Sequence, residues 1–364
     1  MIKKLFDAEP LKDAPRHLPT LDGARAVAAL MVLVSHSANA GLLPDVLGKG
    51  AGQMGVVLFF VLSGFLMAYL HADRAFDRAE VERYARHRVG RVVPLYLAVV
   101  LISYLLFQRY ENVIVFEIAN DEDLARHLFL IRGDHTLWTI PVEIHFYIVF
   151  VLLWYLNSRR RAFVGVATIA AVLLVLMVLA KLSSALYGYL PYWGHFFLFG
   201  FCIGLLWRRH YRRVTEWLSL HRFGMRWVAF AVIVAMVLSL PAIRADRGIY
   251  TPPNWCDPLA GGVPVLFFLC ALVGIGPFRW LCAKPLRYLG GISYGIYIVQ
   301  YPVLMSLTRV FTPTSKLEAF GLFALIVTLV ITISAISFRF FERPLQDIVN
   351  GKKRITSDTG AISP

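Results

Sequence analysis

The chain has 364 residues, 58% of them hydrophobic and only 16% charged, with a mean hydropathy of +0.63. A soluble domain carries about a quarter charged residues, so this composition excludes an ordinary soluble globular protein. The net charge of +14 suits anionic lipid headgroups at a membrane surface, and nucleic acid need not be invoked.

Residues 1–20, MIKKLFDAEPLKDAPRHLPT, hold charges and prolines but no apolar signal-peptide core, and read as a cytoplasmic lead-in. Ten apolar segments follow, near 22–41, 52–71, 89–107, 137–156, 162–181, 189–207, 224–243, 259–276, 286–307 and 317–341. Each is about 20 residues, the length that crosses a bilayer core of about 30 Å. The expected fold is all-α, a polytopic transmembrane helical bundle of about ten spans over residues 21–343. A C-terminal tail follows at 344–364, with no second soluble domain expected. Of the 37 Lys and Arg residues, 27 fall on the N-terminal side of the alternating connections, which places both termini in the cytoplasm. The long connection 108–136, with Glu111, Glu117, Asp121, Glu122, Asp123 and Asp134, suits a lid, an acceptor platform or a solvated loop. Cys202, Cys256, Cys270 and Cys282 show no CxxC or metal-ligand spacing and read as packing residues, so neither disulfide framework nor metal is expected.

Ionisable groups inside spans are costly and face a cavity or a partner. Arg25 and His36 share the first apolar run, LDGARAVAALMVLVSH. Their spacing returns to within about 20° of one helix face, about 16 Å further along the axis. Arg88 and Arg91 share a face at the mouth of the third span. Counted inward from the start of the fourth span at 137, Glu143 reaches a depth near that of His36, and Gln300 of the ninth span a comparable one. Pro141 and Pro302 are expected to kink their helices there. Two levels result: a cationic group of Arg25, Arg88 and Arg91, suited to phosphate, and a polar group of His36, Glu143 and Gln300. In the second, imidazole takes a proton from a hydroxyl and a carboxylate orients it. Asp22 reads as an N-cap and partner of Arg25, and His135 and His145 as interfacial. Tyr187, Tyr189, Tyr192 and Trp193 suit either sugar stacking or an interfacial aromatic belt.

These residues also carry a resemblance. LDGARAVAALMVLVSH resembles the first span of membrane acyltransferase family 3, the bacterial integral-membrane O-acyltransferases, marked by an arginine, ten residues and a histidine. GVVLFFVLSGFLMAY (Gly55 to Tyr69), RHRVGRVVPLYL (Arg86 to Leu97), LWTIPVEIHFYIVF (Leu137 to Phe150), ISYGIYIVQYPVL (Ile292 to Leu304) and FFERP (Phe340 to Pro344) follow in the family's order across nearly the whole chain. Two departures stand out: Gln300 lies where the family often has histidine, and Glu143 is the one carboxylate in IPVEIH.

The resemblance implies transfer of an acyl group, usually acetyl from acetyl-CoA, to a hydroxyl of a carbohydrate or glycolipid acceptor at the outer side of the inner membrane. It makes His36 the catalytic histidine, Arg25 its motif partner, and Arg88 and Arg91 the pair linked to the donor. Some relatives carry a C-terminal esterase-like domain, and here the membrane domain is expected to complete the transfer itself. Glu143 is expected to orient His36, and backbone N–H groups near Ser63 and Gly64 to support the oxyanion. The alternative from the residues alone is a proton-coupled secondary transporter with a His36–Glu143 relay.

Overall fold

The computed structural model describes residues 15, 17–110, 116–183, 188–241, 243 and 258–351. The lead-in up to residue 14, the tail from 352, and Glu111, Tyr187, Arg244, Arg247 and Cys256 lie outside the described residues.

Thirteen α-helices are described: α1 (Pro19–Asn39), α2 (Gly52–His71), α3 (Arg78–Arg109), α4 (Asp121–Leu128), α5 (Thr139–Ser158), α6 (Ala162–Ser183), α7 (Leu190–Leu220), α8 (Arg222–Leu238), α9 (Pro258–Val273), α10 (Lys284–Gly291), α11 (Ser293–Val310), α12 (Lys316–Ser337) and α13 (Arg343–Val349). Short 3₁₀ turns fill Asp45–Leu47, His135–Trp138 and Gly276–Cys282, and one π-helical turn, Phe338–Glu342, joins α12 to α13. Among the described residues there is no strand. The all-α expectation therefore holds for them.

Six helical stretches of the described residues are long and apolar enough to cross a membrane, or seven if Gly261–Val273 and Gly276–Cys282, bent by 73°, form one span. Every expected segment is helical at its core, but fewer than ten pass as spans. Ala162–Leu176 and Phe223–Leu238 are short apolar helices, and the ninth segment divides at Ile292 into α10 and α11.

The bundle is built around α2. Gly64 lets α7 approach until a Cβ would stand 2.0 Å from the Phe197 carbonyl oxygen, and Gly200 on α7 answers it against the Val61 carbonyl. Small residues allow this close helix contact where lipid supplies no hydrophobic drive. Inward aromatic rings fill the seam: Phe60 stacks on Phe197 at 4.5 Å, and Trp193 packs edge-on against Phe60 at 5.8 Å. Trp193 and Tyr192 are buried, so packing and not sugar stacking accounts for them. Leu101, Ile102, Leu105 and Ile148, by contrast, remain exposed on α3 and α5, as a lipid-facing surface requires.

Two local expectations change. Helix α1 starts at Pro19 with Leu18 as N-cap, so Asp22 lies in the first turn and does not cap it. Pro141 is in the first turn of α5, where its missing N–H costs no helical bond, and it kinks nothing. Pro302 does lie inside its helix, α11.

Candidate active site

A cavity with about 690 Å³ of empty space, part of it continuous with solvent, opens among α1, α2, α3, α5 and α11. Its wall includes Arg25, Arg88, Arg91, Ser63, Glu143 and Tyr147, closed on the α11 side by Tyr294 and Tyr297. The structure thus brings the three expected arginines together.

Each guanidinium is held differently. Arg25 lies 3.7 Å from Asp22, whose other oxygen meets His17 Nε2 at 2.8 Å. Arg88 is 8% exposed, with its guanidinium 5.8 Å from the ring centroids of both Tyr84 and Tyr147 and its Nε without a hydrogen-bond partner. It is no interfacial anchor. Arg91 is half-buried on the same wall. Among the described residues, neither Arg88 nor Arg91 makes an ion pair with a carboxylate. Glu143 is the wall's one carboxylate, and its Oε1 accepts from Ser63 Oγ at 2.8 Å and Tyr147 O–H at 2.7 Å. Three cations against one engaged anion make the cavity electropositive, and buried guanidinium groups with free donors suit phosphate oxygens.

His36 is not on this wall. A Cβ on Gly52 of α2 would stand 3.0 Å from the Cβ of Ser35, the neighbour of His36. Ser63, which donates to Glu143, lies on α2 eleven residues beyond Gly52, about 16 Å along the axis. Glu143 therefore belongs with the arginines and not beside His36, contrary to the depth count from the sequence. That count assumes that residue 137 lies at the bundle surface. In the structure Phe116, Ile118 and Leu137 are fully buried, so both ends of the connection 116–138 pack into the bundle and α5 begins inside it.

The His36 end has its own polar groups. His36 is half-buried with Nδ1 unpartnered. His135 adopts φ +48° and stacks on Tyr301 at 4.5 Å. Gln300 is 0% exposed; its Nε2 donates to the Tyr297 carbonyl at 3.1 Å while its Oε1 has no partner. Between the two ends, Phe59 and Tyr297 meet edge-on at 5.9 Å, and Thr139 Oγ1 donates to the Tyr297 hydroxyl at 3.1 Å. Both rings line the arginine cavity.

Sequence reading misses Tyr147 and Tyr294 as wall residues and places Ser63 in the site only through its backbone. The signal for Tyr147 is its place four residues after Glu143, on the same helix face. The expected oxyanion site at Ser63 and Gly64 is not formed by backbone. Both lie inside the unbroken α2, whose N–H groups serve the helix, and Ser63 contributes its hydroxyl to Glu143 instead.

The family model described as an acyltransferase domain matches residues 18–339. The chain is similar to the O-acetyltransferase OatA of Staphylococcus aureus, 24% identical over 369 residues covering 92% of this chain and 58% of that protein. It is likewise similar to the peptidoglycan O-acetyltransferase OatA of Listeria monocytogenes, 24% identical over 365 residues covering 91% of this chain and 56% of that protein. The chain thus spans a little over half the length of these relatives. No solved structure matches.

Proposed function

Because the chain belongs to the acyltransferase family, we propose that this multi-pass membrane protein moves an acyl group, acetyl in the first instance, from acyl-CoA to a hydroxyl of a carbohydrate or glycolipid. The membrane domain comprises residues 21–343, about ten spans with both termini cytoplasmic, and lies in the bacterial inner membrane. The donor approaches from the cytoplasm, and the acceptor, of the peptidoglycan class named for the relatives, from the outer side. The observation that carries this reading is the gathering of Arg25, Arg88 and Arg91 on one electropositive cavity.

In this reading the donor's phosphates bind the arginines, and the thin pantetheine arm passes the Phe59–Tyr297 ring pair toward His36. His36 removes the acceptor's hydroxyl proton. The oxygen attacks the thioester carbonyl, the C–S bond breaks, and the leaving thiolate takes up a proton. Glu143, held by Ser63 and Tyr147, does not reach His36 as first expected; it serves as the counter-charge that keeps three guanidiniums together. Binding is the direct test. Saturable acetyl-CoA binding to the purified protein, displaced by free CoA and weakened in Arg91→Ala, supports the reading, whereas no binding removes acyl-CoA as donor.

A further inference from the structure

The FFERP stretch has no part in the reaction above. Where α12 could run straight into α13, Phe338–Glu342 winds instead as a π-helical turn. Such turns interrupt the α-helical register and recur at functional sites. Glu342, the last residue of the turn, is 4% exposed, and Ser337 Oγ donates to its Oε1 at 3.1 Å. Gly295 of α11 leaves room for the carboxylate, since a Cβ there would lie 3.3 Å from that oxygen. A carboxylate buried in an apolar helical stretch is costly to hold unless it faces a partner. The π-turn packs against α3, the helix that carries Arg91, and the two side chains stand beyond direct ion-pair distance.

The surrounding contacts converge on the same residue. Val349 of α13 packs against Gly90, where a Cβ would stand 3.1 Å from that of the valine. Tyr294, the neighbour of Gly295, donates its hydroxyl to the Val92 carbonyl at 2.6 Å. The backbone is thus fastened on both sides of Arg91, by the helix after the π-turn and by the helix against which Glu342 rests. Arg91 and Tyr294 line the cavity and Glu342 does not. The carboxylate therefore lies outside the cavity that Arg91 lines and leaves that space to an incoming anion.

We propose that Glu342 is a positioning residue: from outside the cavity it holds the Arg91 guanidinium toward the cavity, where Arg91 meets a donor phosphate. The second half of this statement rests on the acyl-CoA reading of the cavity.

The test is a double-mutant cycle on the full chain in nanodiscs, with acetyl-CoA binding measured by calorimetry. Glu342→Gln keeps the shape and an acceptor for Ser337 but loses the charge. It weakens binding about tenfold, equivalent to about 1.4 kcal/mol, and Glu342→Asp recovers part of the loss. In an Arg91→Ala background Glu342→Gln causes no further weakening, because the residue it acts through is gone. Gly295→Ala, which crowds the carboxylate without changing any charge, weakens binding in the same direction and serves should Glu342→Gln not fold. Wild-type affinity in Glu342→Gln, or equal weakening with and without Arg91, overturns the proposal. If wild-type protein binds no acetyl-CoA, the donor reading fails by itself. The pairing is then decided by the ligand-free melting temperatures of the same four proteins, with coupling in its favour and additivity against it.

Discussion

Arg88 is a buried cation without an ion-pair partner, which allows stability and binding to be pulled in opposite directions by Arg88→Met. The substitution keeps an unbranched apolar stem of similar reach and removes the charge. It forfeits two ring contacts, with Tyr84 and Tyr147 at 5.8 Å, each worth about 0.5–2 kcal/mol. Against that stands relief of a buried charge that has no direct ion pair among the described residues, and whose effective desolvation penalty is about several kcal/mol. No buried carboxylate is stranded, because none pairs with Arg88 among the described residues. The ligand-free protein should therefore melt at or above the wild-type temperature. Donor binding should fall, because a hydrogen bond between charged groups contributes about 1.5–3 kcal/mol, roughly 10- to 150-fold at about 1.4 kcal/mol per decade. Differential scanning fluorimetry in nanodiscs and acetyl-CoA titration read the two quantities separately. A clearly lowered melting temperature with unchanged affinity would refute the reasoning and make Arg88 a structural residue.

Asp73 offers the opposite case. Its side chain is 7% exposed and meets Arg209 at 3.0 Å and Arg208 at 3.5 Å, so Asp73→Ala strands two cations and should destabilise by about 3–5 kcal/mol. A melting curve checks this, and acetyl-CoA affinity of the folded fraction should not change. Phe59→Ala removes the ring packed against Tyr297 at the cavity wall and should raise transfer of propionyl and butyryl groups relative to acetyl; an unchanged ratio in a competition assay would remove Phe59 from the path. Glu143→Gln keeps acceptors for Ser63 and Tyr147 but removes the counter-charge among three arginines. It should tighten binding of inorganic pyrophosphate at low salt and lose the gain as salt screens the field, and calorimetry at two ionic strengths decides it.

What the sequence makes legible is one-dimensional: apolar length, charge along the chain, and helical phase. Those suffice for the helices themselves and for Arg88 and Arg91, which share a face because they are three residues apart. They also bring Arg25 to the cavity, because an arginine inside an apolar run must face one. Depth is less secure. Glu143 separates from His36 because Leu137, taken as a surface position, is fully buried where the connection 116–138 enters the bundle, which no apolar periodicity announces. The partners of Glu143 come from two helices, Ser63 on α2 and Tyr147 on α5. Only the second is local in sequence. The π-turn at Phe338–Glu342 escapes for another reason: its residues fit an α-helix equally well.

The most direct test of the central claim is thioester consumption by purified protein in nanodiscs with an acceptor glycan, compared between wild type and a His36→Ala variant shown by melting to be folded. The account predicts release of free CoA matched by acetylated acceptor in the wild type, and loss of both in the variant while acetyl-CoA still binds at the arginine cavity about 16 Å away. Undiminished turnover in folded His36→Ala would contradict it.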